Sequence, residues 1–153
     1  MTAPLIDGFS EAIWSESAGQ TVVRVATEQL RDFAKAAREA GFELLSDVTA
    51  VDWLSREPRF DVVYNLVSIQ HRLRLRVITN AAGDEPAVPS LVSIWPGANY
   101  GEREVFDMFG IAFSDHPDLT RILMPDEWDG FPLRKDFATG AVPVQFKGSH
   151  KVS

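Results

Sequence analysis

The sequence predicts an α+β fold: a two-layer sandwich, with a mixed or antiparallel sheet carrying helices on one face, plus an extended C-terminal arm. Three observations lead there. Residues 20–79 read, in order, as strand, helix, strand, strand, strand. The last two strands are joined only by Gln70-His71, a link short enough for an antiparallel hairpin. The texture then changes after Phe113. Residues 114–153 hold four of the nine prolines (Pro117, Pro125, Pro132, Pro143) and are interrupted by Gly130, Gly140 and Gly148. No period of two or 3.6 persists there. The predicted organisation is therefore an α+β domain over residues 1–113 and an interaction arm over residues 114–153.

Each element has its own warrant. Leu5, Ile6, Phe9, Ile13 and Trp14 recur at helical spacing and predict a short amphipathic helix. Gln20–Ala26 is β-branched and predicts a strand. Thr27 is a suitable N-cap for the following helix, whose stripe is Leu30, Phe33, Ala34, Ala37 and Ala40 and whose stop is Gly41. Phe42–Trp53 predicts a strand ending in Asp52-Trp53, and Ser55–Arg59 a polar turn. Phe60–Gln70 and Arg72–Thr79 predict two further strands, the second in strict alternation. Asn80–Pro89 reads as a loop and Ser90–Pro96 as a short apolar run. A helix opens at Asn99 or Gly101 and ends at Phe109 before Gly110, with Val105, Phe106, Met108 and Phe109 inward. Arg103 and Asp107 stand four residues apart on it and are expected to pair on its outside.

Composition narrows the function classes. With 153 residues, 45% hydrophobic, 24% charged and a mean hydropathy of −0.08, the chain is an ordinary globular domain. It has no cysteine, hence no thiol nucleophile, disulfide or thiolate-held iron–sulfur cluster of its own. The net charge of −7 argues against nucleic acid as the main partner. The first thirty residues lack a basic start followed by an apolar run, so no signal peptide is expected. No stretch approaches the roughly 18 consecutive apolar residues of a membrane span.

Candidate chemistry is sparse. Asp115-His116-Pro117-Asp118 sets a histidine among carboxylates, as a metal site or general base would, but the favoured reading is a turn histidine bonded to a carboxylate or carbonyl. Glu102 and Glu104 flank Arg103 but project from different helix faces, which favours an ion-pair network or interface over acid–base catalysis. Arg72, Arg74 and Arg76 line one strand face, expected to be solvated and paired with acids of the next strand, Asp61 among them. Neither a phosphate-binding glycine loop nor a nucleophile elbow occurs. The arm, in contrast, keeps Leu119, Ile122, Leu123, Met124, Trp128, Phe131, Leu133, Phe137 and Phe146, too apolar a load for a disordered tail. It is expected to bury them against a surface, favoured to be another protein's, the alternative being its own domain. Residues 102–136 carry nine acids against four bases, which accounts for five of the seven net negative charges.

The motifs also point to a family. Glu102–Phe109 reads EREVFDMF and continues with Gly110-Ile111. His116-Pro117-Asp118-Leu119, Arg121–Met124, Asp126–Trp128 and Pro132-Leu133-Arg134-Lys135-Asp136 follow. Upstream stand Asp52-Trp53, Val88-Pro89-Ser90 and Trp95-Pro96. In order and spacing this resembles the C component, the thirty-kilodalton subunit family, of the respiratory NADH:quinone oxidoreductase, complex I. The likeness covers residues 42–147, with Phe131 standing where His or Tyr would be expected. The resemblance implies a non-catalytic subunit of the peripheral arm of a proton-translocating complex that passes electrons from NADH to quinone. FMN and iron–sulfur clusters would sit on partner subunits, with no cofactor, metal or catalytic residue on this chain. The chain would dock on the D component of the complex, the large neighbour of the quinone site, with the B and I components nearby. It would lie on the cytoplasmic side of the cell membrane and touch the membrane only through the complex. Family signature and partner interface would comprise Glu102, Arg103, Glu104, Asp107, Phe109, His116, Pro117, Asp118, Arg121, Trp128, Phe131, Arg134, Lys135 and Asp136. Alternatives are the homologous subunit of a membrane-bound hydrogenase-type or other-donor complex, and a stand-alone metal-dependent hydrolase built on Asp115, His116 and Glu104.

Overall fold

The computed structural model describes residues 6–138 and residue 140. Strands β1 (Ile13–Ser17), β2 (Gln20–Arg24), β3 (Leu44–Asp52), β4 (Phe60–Ser68) and β5 (Leu73–Ala81) form one sheet in the order β1-β2-β5-β4-β3. All neighbours are antiparallel except β2 and β5, which run parallel. Helices α1 (Leu30–Glu39) and α2 (Ala98–Phe109) cover one face. Strands β6 (Ala87–Pro89) and β7 (Ala112–Ser114) form a small parallel ladder beside them. The α+β sandwich with a mixed sheet is as the sequence predicts.

Register explains the two faces. Trp14, Val23, Val77, Tyr64 and Val48 are partners in one row across the five strands. This row belongs to the core, with Val23, Val77 and Tyr64 fully buried. The next row out, Ser15, Val22, Arg76, Asn65 and Asp47, turns away from the helices, as strand alternation demands. There Arg76 donates to Asn65 and to Gln20, and Asn65 to Asp47. Arg76 thus binds amides rather than Asp61. Asp61 takes Arg24 and Arg56 instead, together with the Trp53 indole and Asn80.

The main helix is shorter at its start than expected. Thr27–Gln29 is a 3-10 turn, and the Thr27 hydroxyl donates to Asn80 O at 2.6 Å rather than capping α1. The C-terminus is as expected. Gly41 has φ +93°, Gly41 N donates to Arg38 O and Phe42 N to Ala37 O, the paired bonds of a glycine stop. α1 presses Leu30, Phe33, Ala34 and Ala37 onto the sheet. α2 packs on β3, where a Cβ at Gly101 would stand only 2.9 Å from Val48 Cβ.

The predicted N-terminal helix is corrected. Its residue Leu5 lies outside the described residues, and Ile13 and Trp14 belong to a strand. Trp14 is apolar because it faces Val23 in the hairpin and packs near Phe33, 6.1 Å between ring centroids. Among the described residues no helix is long and apolar enough to cross a membrane.

Candidate functional site

α2 carries the residues that sequence reasoning singled out, and the arm is bound to them. Asp107 is fully buried on the side that meets residues 120–124. Its Oδ2 accepts the successive backbone N–H groups of Ile122 (3.0 Å), Leu123 (2.8 Å) and Met124 (2.9 Å). Its Oδ1 accepts Arg121 Nη1 at 2.7 Å, and Arg121 Nη2 reaches Gly130 O at 3.1 Å. Three consecutive amides converging on one anion form a nest. Burial pushes the carboxyl upward, but those amides and Arg121 outweigh it and hold it below the ordinary value. Arg103 does not pair with Asp107. It donates to Thr120 O and Oγ1 and to Arg121 O. The two residues do share a helix face, but each grips the arm.

The C-terminus of α2 is closed by the arm as well. Gly110 has φ +70°, which glycine adopts freely, and a Cβ there would stand 2.4 Å from the Phe131 ring. Helix carbonyls left without intrahelical donors are met by Leu133 N on Met108 O (3.0 Å) and Arg134 Nε on Phe109 O (2.6 Å). A guanidinium at a helix C-terminus is also favoured by the dipole. The Arg121 and Arg134 guanidinium groups lie 5.5 and 4.8 Å from the Phe131 centroid.

A second carboxylate, Asp52 at the end of β3, ties the far side. It is buried and accepts Leu54 N and Arg59 Nε on Oδ1, both at 2.8 Å, and Arg59 Nη2 (2.7 Å) and Lys135 N (2.8 Å) on Oδ2. The Arg59 bonds, with the two amides, hold its carboxyl far below the carboxylate range against burial. Arg59 also grips Asp136 through both terminal nitrogens, at 2.8 and 3.0 Å. Asp52 and Asp107 each take four donors, about the full acceptor capacity of a carboxylate. In both, the acceptor capacity is spent chiefly on holding the fold.

Glu102, one turn nearer the start of α2, is fully buried and accepts Ser90 Oγ (2.6 Å) and Leu91 N (2.7 Å). Burial pushes its carboxyl up to about 7, opposed by those two donors. His116 Nε2 is 3.9 Å from it and 3.3 Å from Asn99 O, while His116 Nδ1 accepts Asp118 N at 3.0 Å. His116 is thus the turn histidine expected. Arg31 of α1 donates to the carbonyls of Ser90 and Ser114 and to Asp115. The Tyr64 hydroxyl is buried without a partner among the described residues, and burial, then Glu102, raises its pKa.

The structure therefore gathers Arg103, Asp107, Phe109, Arg121, Phe131 and Arg134 around one flank of α2, Asp136 with Arg59 at the Asp52 cluster, and Glu102 with His116 nearer the start of α2. Lys135 enters through its backbone only. Glu104, Pro117 and Asp118 are exposed. Trp128 stacks on Phe137, 6.4 Å between ring centroids at 22°. Sequence reasoning missed the roles of Asp52, Arg59 and Asp61. Their signal was an apolar strand ending in Asp followed by an arginine-bearing turn. Among the described residues no three histidine or acidic side chains gather as a metal site.

Residues 23–142 match the family model of the respiratory-chain NADH dehydrogenase 30 Kd subunit. The chain belongs to that family. It is 49% identical over 135 residues to the C component of the NADH-quinone oxidoreductase of Roseiflexus castenholzii, covering 86% of this chain and 78% of that protein. It is 52% identical over 111 residues to the same component from Parvibaculum lavamentivorans, covering 72% of this chain and 55% of that longer protein. Among solved structures it resembles the trypsin-resistant fragment of Nqo5, with TM-score 0.67 and 32% identity over 71% of this chain and 90% of that one. It also resembles a chain of the membrane-bound sulfane sulfur reductase, an archaeal respiratory membrane complex, with TM-score 0.77 and 28% identity over 86% and 80%.

Proposed function

We propose that this thirty-kilodalton-family chain is a positioning and assembly subunit of a proton-translocating NADH:quinone oxidoreductase. Electrons pass from NADH through FMN and iron–sulfur clusters on partner subunits to quinone, and this chain performs no chemical step. Its arm docks on the D component, the large neighbour of the quinone site, with the B and I components nearby, on the cytoplasmic side of the membrane. One observation carries the reading. The arm is fixed by Asp107 from beneath, yet Ile122 and Leu123, whose amides Asp107 binds, leave 38% and 60% of their surfaces exposed. An anchored loop that turns large apolar side chains outward is preorganised for a partner.

Co-purification tests this. Tagged full-length chain expressed with its partners is expected to bring down the D component. Leu123→Asp is expected to reduce that recovery about tenfold while the chain melts as wild type. Unchanged recovery, or NADH oxidation by the chain alone, would overturn the proposal. The likeness to the sulfane sulfur reductase chain favours a second reading, a subunit of a related complex with another electron donor. The proteins that co-purify separate the two.

A further inference from the structure

Arg134 is held by one backbone carbonyl and two aromatic rings, and among the described residues no anion pairs with it. Its Nε is spent on Phe109 O, and its guanidinium lies 4.8 Å from the Phe131 centroid and 5.3 Å from that of Phe60. All 22 acidic side chains of the chain fall among the described residues, from Asp7 to Asp136. None forms an ion pair with Arg134, whereas Arg24, Arg56, Arg59 and Arg121 all have one. Arg59 lies over the same Phe60 ring, 4.8 Å from its centroid, but its charge is met by Asp52 and Asp136. Burial first, then the field of Arg59, hold the Arg134 guanidinium below the ordinary arginine range, against the opposing fields of Asp136 and Asp52, both of which are bonded to Arg59 instead.

The side chain opens into a groove lined also by Leu54, Ser55, Arg56, Arg59 and Phe60. Glu57 and Asp84 also line it, but both are exposed, where solvent screens them more than the half-buried Arg134. Leu54 projects at 47% exposure from a backbone with φ +51°, a conformation that a bulky residue adopts only under constraint. The constraint is on hand, since Leu54 N is bonded to the saturated Asp52. Trp53 beside it is 45% exposed.

We infer that this groove receives a side-chain carboxylate of a partner protein, carried by a segment that also lays an apolar residue against Leu54. The Nη nitrogens of Arg134 offer the planar fork that matches a carboxylate. The exposed, constrained Leu54 and Trp53 match a peptide segment rather than a free inorganic anion. The inference rests on the proposed role of the chain as a subunit of a complex, and names one contact within it.

The test uses the full chain in its purified complex. In Arg134→Gln, the amide nitrogen falls where Arg134 Nε stood, so the bond to Phe109 O is kept while the fork and the charge over the Phe60 and Phe131 rings are lost. The expected result is a chain that melts close to wild type but whose retention in the complex at raised salt falls about tenfold or more. In Arg134→Lys, carbodiimide treatment is expected to join the introduced amine to an Asp or Glu of a partner subunit, read by mass spectrometry. Wild-type retention of Arg134→Gln, or cross-links confined to Glu57, Asp84 and Asp136 of the same chain, would overturn the inference. If the wild-type chain brings down no partner at all, the subunit reading falls and this contact with it.

Discussion

Asp107→Asn removes one charge and almost no volume, and so isolates what the buried carboxylate does. Asparagine has one acceptor oxygen and two N–H donors. Its oxygen can face the amides of Ile122, Leu123 and Met124, which turns its NH2 toward Arg121, or the reverse; in either case donors meet donors. Hydrogen bonds to a charged acceptor contribute about 1.5–3 kcal/mol, and neutral ones about 0.5–1.5. Weakening three amide bonds and losing the Arg121 pair, less the relief of no longer burying a charge, comes to about 3–5 kcal/mol, the usual cost of breaking a buried pair. For a domain of this size that lowers Tm by roughly 6–20 °C. Urea and thermal melts followed by tryptophan fluorescence measure it, and limited proteolysis between residues 120 and 137 reports whether the arm has come loose. The pH dependence adds a check. A carboxyl held below its ordinary value of 3.8 stabilises the fold above that pH and ceases to do so as pH falls through the folded value. The gap between wild type and variant is therefore full at pH 7 and closes under strong acid. A loss under about 1 kcal/mol at pH 7, with unchanged cleavage of the arm, would refute the reasoning.

Two further substitutions probe the same helix. Glu102 titrates at about 7 in the fold against an ordinary 4.5, so its contribution is present below pH 4.5 and is lost as pH rises to 7. That window is worth at most about 3 kcal/mol, so Glu102→Gln is expected to flatten the decline in stability between pH 5 and pH 8; an unaltered slope in chemical melts would count against it. Gly110→Ala puts a Cβ 2.4 Å from the Phe131 ring on a backbone at φ +70°. A loss of about 1–3 kcal/mol and faster cleavage after residue 120 are expected, and a wild-type melting curve would contradict the packing.

The sequence carried what local periodicity can carry. The alternation in residues 60–79 and the stripe Leu30, Phe33, Ala34, Ala37 depend on neighbours within a few residues, and both form, the helix beginning at Leu30 rather than directly after Thr27. Trp14 was ambiguous because an apolar pair at 13–14 suits a helix or a strand, and its strand partner, Val23, is a choice made by the sheet. The β6–β7 ladder joins residues 25 apart, such as Val88 and Phe113, and has no local signature in a loop rich in turn formers. Arg103 and Asp107 show the limit most clearly. Their spacing correctly placed them on one face, but both ends of the expected pair were claimed by Thr120–Met124, which no helical rule could supply. His116 was legible because proline and aspartate confine it to a turn.

The order of strands bears on how the chain reaches this state. β3, β4 and β5 form a meander whose pairings close loops of a few residues, so they can zip early. The backbone ladder that joins β1 and β2 to that meander is the parallel register of Thr21–Arg24 with Leu75–Ile78, pairs 54 residues apart in the chain. That closure carries the larger loop entropy and comes later. In amide hydrogen exchange the edge strand β1 is expected to open first, and Val62, Tyr64 and Leu66 at the centre of β4, flanked on both sides by strands, to be the last to trade their protons.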